Sequence, residues 1–170
     1  MKEGEFIKVI KKEEIEERGG VLIEKDKCTF DFQDRPSVSG DKEKSFYIAM
    51  SNADGVVGGI TLEELNNKEL GKDYIQLRVV HIKEKYRGGN ASIILYEKAI
   101  EYAESIGKKL LFDFSLNNGA YNSFKKLENY GYDVIENPEA KYDGQYHTAY
   151  GSWVLRAERK DKGDEINNKK

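Results

Sequence analysis

Apolar and polar residues alternate along the first half of the chain, and apolar residues recur every three to four positions in its centre. Period-two alternation marks half-buried strands, and the longer spacing marks amphipathic helices. Val21, Ile23, Phe30 and Phe32 supply a strand within 21–32. Ser45 to Ser51 and Val56 to Ile60 read as the arms of a hairpin around Asn52-Ala53-Asp54-Gly55, residues suited to a tight turn. Thr61-Leu62-Glu63-Glu64 has the form of a capping box and predicts the start of a short helix. In the strand from Tyr74 to Ile82, Ile75, Leu77 and Val79 share one face, and then the apolar phase slips to Val80 and Ile82. A one-residue slip is what a β-bulge produces, although a strand buried on both faces gives the same pattern.

Ile93, Tyr96, Ile100 and Ala103 lie on one stripe of a helix from Ala91 to Ile106, with Gly107 as its stop. Leu110, Phe112 and Phe114 share a face of a strand over 109–115. A second helix over 118–130 aligns Ala120, Phe124, Leu127 and Tyr130 and ends at Gly131. A strand over 132–136, a loop over 137–144 and a long alternating strand over 146–156 follow. The remaining stretches are polar. A charged helix is expected over 11–18, a loop over 34–44, and a disordered tail over 160–170, where Ile166 alone is apolar. The central strand–helix–strand unit implies two parallel neighbours joined by a right-handed crossover, with antiparallel flanks. The expected fold class is α/β in the mixed α+β sense, a mixed sheet with helices on both faces, in one domain over 1–159.

Composition narrows the function. The 170 residues are 38% hydrophobic, enough for a single core. Charged residues make up 35%, with both signs interspersed and a net charge of -3, so no basic stripe for nucleic acid exists. Cys28 stands alone, which excludes an internal disulfide and fits a reducing compartment. No apolar run has the length of a membrane helix, about 18 residues. A soluble, cytoplasmic protein without nucleic-acid or membrane partners is expected. His81 and His147 are the only histidines and no His-Glu-x-x-His occurs, so no metal is expected.

The chemistry concentrates in Tyr86-Arg87-Gly88-Gly89-Asn90-Ala91-Ser92, between a strand and a helix. The first amides of a helix have no partner within it, and the helix dipole adds partial positive charge there. Small residues admit a phosphate closely, and Arg87 adds a cation. The loop lacks both the Gly-x-Gly-x-x-Gly dinucleotide fingerprint and the Gly-Lys-Ser/Thr of a triphosphate loop.

From Tyr74 to Tyr132, about a third of the chain, the residues resemble the GNAT superfamily of N-acetyltransferases. The resemblance rests on Val80-His81-Ile82, Tyr86-Arg87-Gly88, the helix to Ile106, the strand from Leu110, and Gly131-Tyr132. It implies a GNAT-like sheet, mostly antiparallel, with one parallel, splayed strand pair. It implies acetyl-CoA or another acyl-CoA as co-substrate. Backbone around Arg87, Gly88, Gly89, Asn90, Ala91 and Ser92 would hold the pyrophosphate, and Val80 and Ile82 would flank the pantetheine arm. Asn118 would stand beside that arm. Asn90 and Ser92 occupy places where the family pattern has small residues, and Asn is the residue that best tolerates a left-handed backbone after Gly. Leu127 stands where many members carry the tyrosine that protonates the leaving thiolate, so Tyr121 or Tyr130 would have to substitute.

The implied activity is transfer of an acetyl group to a primary amine of a small molecule, peptide or protein. Asp113, His81 and Glu84 are candidate bases, set against the ordinary roles of a sheet carboxylate, a strand histidine and a turn residue. Tyr142, Tyr146 and Tyr150 either line a substrate pocket or pack a half-buried strand, and Trp153 reads as core. The alternatives are a catalytically weak acyl-CoA-binding module, acting as sensor or partner protein, and an unrelated phosphate binder. A homodimer through the C-terminal strand is compatible with the pattern.

Overall fold

The computed structural model describes residues 21–35, 45–64, 72–113, 115–148 and 152–160. The helix expected over 11–18 and the tail beyond Lys160 lie outside them. In chain order the elements are β1 (Thr29–Arg35), β2 (Ser45–Asn52), β3 (Gly55–Glu64), β4 (Tyr74–Ile82), α1 (Ala91–Ser105), β5 (Lys109–Leu111) and β6 (Ser115–Leu116). Then come α2 (Asn118–Lys125), a 3-10 turn over Lys126–Tyr130, β7 (Tyr132–Glu136), β8 (Lys141–Tyr142), β9 (Tyr146–His147) and β10 (Leu155–Arg159). Among the described residues seven strands form one mixed sheet in the order β1-β2-β3-β4-β5-β10-β7, in which only β4 and β5 run parallel and the other neighbours are antiparallel. A small second sheet has the order β6-β9-β8.

The hairpin forms as its alternation predicts. Ile48 pairs with Ile60 and Phe46 with Leu62, so both strands turn the same apolar face inward. Helix α1 lies on that face; its Tyr102 ring packs 4.5 Å from the Phe46 ring. The phase slip in β4 is a bulge. Leu62 pairs with Leu77 and Thr61 with Val79, which leaves Arg78 as the extra residue. The slip comes one step earlier than the apolar pattern implies. Val79 therefore falls on the open face, 57% exposed, while Val80 and Ile82 pack against the core.

Several expectations are corrected. Thr61 to Glu64 starts no helix: β3 runs through these residues, and Glu63 pairs with Gln76 of β4. The local capping signal loses because both edges of this segment find strand partners, and Ile60 and Leu62 continue the buried face. The strand expected over 109–115 ends at Leu111 and resumes as β6 in the other sheet. The strand expected over 146–156 divides likewise into β9 and β10. β5 pairs with β10 and β6 with β9, so both strands leave the large sheet at matching height. The loop over 137–144 contains the short β8.

The strand expected within 21–32 starts at Thr29 and runs on to Arg35, into the loop expected over 34–44. Ile23 is buried, 7% exposed, but a side chain rather than a strand takes its backbone groups. Helix α2 ends after Lys125 in the 3-10 turn, which Gly131 closes at φ 92°. Phe124 and Leu127 are fully buried, and Phe124 packs edge-on against Phe112 and Tyr96. Among the described residues no helix is long and apolar enough to cross a membrane.

Candidate functional site

The parallel pairing of β4 with β5 lasts only from Tyr74–Lys109 to Gln76–Leu111. Beyond it β4 continues to Ile82 paired to β3, while the chain after Leu111 turns away into the second sheet. A wedge opens between them. It holds a cleft of about 480 Å³, with Arg78, Val80 and Ile82 on one wall and Asp113, Ser115 and Asn117 on the other. Arg87, Gly88, Gly89 and Ser92 close one end.

The loop at that end turns at Gly88, φ 79°, a left-handed backbone that glycine adopts without cost. The Arg87 Nε donates to the Ile82 carbonyl at 2.9 Å, which fixes the guanidinium against the end of β4. Tyr86 is buried, and its hydroxyl accepts from Asn52 Nδ2 at 3.1 Å. Asn90 is not left-handed; its φ is -103°. It occupies the N-cap position of α1, yet its side chain does not cap the helix. The amide instead accepts from the Ile23 N–H at 2.7 Å and donates to the Ile23 carbonyl at 2.8 Å. Asn90 thus faces the N-terminal segment. Ala91 is buried beneath the loop, and neither residue lines the cleft.

Hydroxyls line the cleft between the helices. Ser92 Oγ and Ser123 Oγ are 3.1 Å apart, and the Tyr96 hydroxyl bonds to Ser123. Burial pushes the Tyr96 phenol up, partly offset by that bond, so it holds its proton. At the far end Asp113 accepts from Gln76 Nε2 at 2.7 Å and faces Arg78 Nη1 at 3.5 Å. Arg78 also lies 3.7 Å from the buried Glu63 carboxylate. The bulge that displaces Arg78 from the regular ladder places this cation on the cleft wall.

Of the residues singled out in the sequence, Val80, Ile82, Arg87, Gly88, Gly89, Ser92 and Asp113 converge on this cleft. His81 is exposed on the other side of β4, with its Nε2 3.4 Å from the Tyr47 hydroxyl. Glu84 is exposed in a 3-10 turn. Asn118 is also exposed and donates to the Tyr142 hydroxyl at 3.1 Å. Its neighbour Asn117 lines the cleft and caps α2 by accepting from the Ala120 N–H at 2.8 Å. The N-cap preference of Asn ahead of an apolar-periodic run would have identified it. Ser123, Tyr96 and Arg78 also went unrecognised, since each reads as an ordinary helix or strand position.

Tyr121 stacks on Tyr146, with centroids 3.7 Å apart, and donates to Glu136 at 2.8 Å, outside the cleft lining. Burial first, and then the Glu136 carboxylate, push its phenol up to about 12. This value lies above the ordinary 10.0, so the neutral phenol stabilises the fold fully below about pH 10, a contribution lost as pH rises through 12. An alkaline titration followed by tyrosinate absorbance should show one fewer ionisation near pH 12 in Tyr121→Phe, with that of Tyr132, also at about 12, retained. An unchanged number would mean that Tyr121 ionises elsewhere.

No family model and no curated protein matches the sequence. Solved structures do. Escherichia coli ElaA is 14% identical over 77% of this chain and 100% of its own, with a TM-score of 0.49. A candidate acetyltransferase of the GNAT family from Desulfovibrio desulfuricans is 11% identical over 68% of each chain, with a TM-score of 0.48. Arabidopsis thaliana NAA60, in complex with acetyl-CoA, is 14% identical over 78% of this chain and 99% of its own, with a TM-score of 0.44.

Proposed function

We propose that the chain is an acyl-CoA-dependent N-acyltransferase that moves an acetyl group directly onto a primary amine. The observation that carries this reading is the wedge beside β4, with the glycine-containing loop of Arg87 to Ser92 at one end and the Asp113 carboxylate at the other. Those residues fit acyl-CoA. The uncapped N-terminus of α1 and Arg87 suit the pyrophosphate. The edge of β4 away from β3 suits an extended, amide-bearing arm, which can pair with it as an added strand does. Gly88, with open space about its Cα, and the small Ser92 leave room at the loop end of the cleft.

The thioester, when bound, supplies the activated acyl carbon. A backbone N–H of Val80 to Ile82 polarises its carbonyl oxygen. Asp113 takes the proton of the attacking amine, whose free pKa is about 10.4. As the C–N bond forms and the C–S bond breaks, the Ser123 and Tyr96 hydroxyls are the protonated groups nearest the helix side of the cleft. They donate hydrogen bonds to the departing thiolate, and the proton that Asp113 took from the amine passes through solvent to the sulfur. Leu127, fully buried, takes no part.

A second reading, a module that binds acyl-CoA without turnover, draws on the fact that Tyr121 is tied to Glu136 and Leu127 carries no hydroxyl. Calorimetry with acetyl-CoA, using ATP and NAD as controls, tests binding, and thiol release with a panel of amines separates the two readings. Arg87→Ala should weaken acetyl-CoA by about 10–100-fold, the loss of one or two charge-assisted hydrogen bonds. Its melting temperature should stay close to that of the parent, since Arg87 is exposed. No binding at millimolar acetyl-CoA would end both readings.

A further inference from the structure

We propose that the segment Val21 to Lys25 is a working part of the cofactor site, and that its docking and acyl-CoA binding are thermodynamically coupled. The inference rests on the acyl-CoA reading of the cleft. Three contacts seat the segment on the loop and on α1. Asn90 grips both backbone groups of Ile23 from 67 positions away, as a neighbouring strand would. This grip needs one donor and one acceptor on a short side chain, which Asn has and Asp lacks. Gly89 lies so close to the Val21 carbonyl oxygen that any Cβ there would collide with it. Lys25 Nζ reaches Glu97 at 3.3 Å and Glu101 at 3.0 Å on successive turns of α1.

The grip also decides what the helix end can bind. Asn is among the strongest N-cap residues, and a capping side chain accepts from the first-turn amides. The Asn90 amide cannot hold Ile23 and cap α1 at once. While the segment is docked, the side chain is turned away and the helix end is left uncapped by it. If the segment leaves, Asn90 is released to cap its own helix and compete with the pyrophosphate for the same amides. Docking therefore favours the binding-competent loop, and by linkage a bound pyrophosphate favours docking to the same extent. Asn90 is a positioning residue, acting through the loop rather than touching the ligand.

The test uses the full chain, acetyl-CoA as probe, and hydrogen exchange resolved at the Ile23 amide. In the parent, acetyl-CoA should slow exchange at Ile23. In Lys25→Ala, which loosens the segment but keeps Asn90, Ile23 should exchange faster without ligand, and the dissociation constant should rise about two- to fivefold, the range for a lost, partly exposed ion pair. With turnover, KM for acetyl-CoA should rise in that variant while kcat and KM for the amine hold. In Asn90→Gly the grip and the competing cap are lost together, so Ile23 should exchange faster while acetyl-CoA binds no more weakly than in Lys25→Ala. Parent affinity in Lys25→Ala despite faster Ile23 exchange, or Ile23 exchange indifferent to acetyl-CoA in the parent, overturns the coupling alone. A parent that does not bind acetyl-CoA overturns it together with the functional reading.

Discussion

Asparagine in place of Asp113 is expected to lower kcat by about 100-fold or more while leaving acetyl-CoA affinity within about twofold, the range for a lost general base. Asp113 lies where the chain has just left β5, on the wall facing the bulged strand, with its carboxylate held by Gln76 and opposite Arg78. Asparagine keeps the shape and an oxygen to accept from Gln76. It loses the charge and the ability to take a proton. Arg78 retains the Glu63 carboxylate 3.7 Å away, so the wall should survive the change. Loss of rate with binding intact would place the defect in the chemical step rather than in the loop. Initial rates against amine concentration, alongside calorimetry with acetyl-CoA, provide the check. A variant that keeps more than half of the parent kcat would remove Asp113 from the mechanism.

Phe124→Ala is expected to cost about 3–5 kcal/mol of stability, the usual range for a fully buried Phe. For a domain of this size that corresponds to a fall in Tm of roughly 6–20 °C. Phe124 is 0% exposed, with ring centroids 4.9 Å from Phe112 and 5.3 Å from Tyr96, both edge-on. Its ring joins α2 to α1 and to the end of β5, the three elements that border the wedge. Truncation therefore leaves a cavity and removes two favourable ring contacts at once. Thermal unfolding of the two proteins in one buffer measures the effect. A shift under about 2 °C would mean that the site collapses to fill the space, or that α2 is not held here as the contacts imply.

The cleft was only partly legible in advance. Its loop could be read because Arg87, Gly88 and Gly89 carry their chemistry in residue type and adjacency. The slip in β4 could be read because one displaced position changes which side chains must be apolar, but its pairing with β3 was needed to make it a bulge. Asn117 was missed in favour of Asn118, since two adjacent asparagines differ only in which one precedes the first helical turn. Asn90 was misread for a related reason. Its residue type fits a left-handed turn, a helix cap and a backbone clamp equally well, and the partner that selects among them is Ile23.

The sequence by itself determined the hairpin of β2 and β3, the strand β4, α1, β7 and the order in which they follow. Each of these rests on a local period that reports which face is buried, and that information is complete within a dozen residues. Only the tertiary structure decided that Thr61 to Glu64 extend a strand, and that the chain parts from the large sheet after Leu111 and again before Leu155. It alone decided that Tyr96, rather than Tyr121, borders the cleft. These outcomes turn on hydrogen-bond partners and packing surfaces that come from distant parts of the chain. A strand edge is satisfied or left open according to what lies beside it, and no local pattern of apolar residues contains its neighbour.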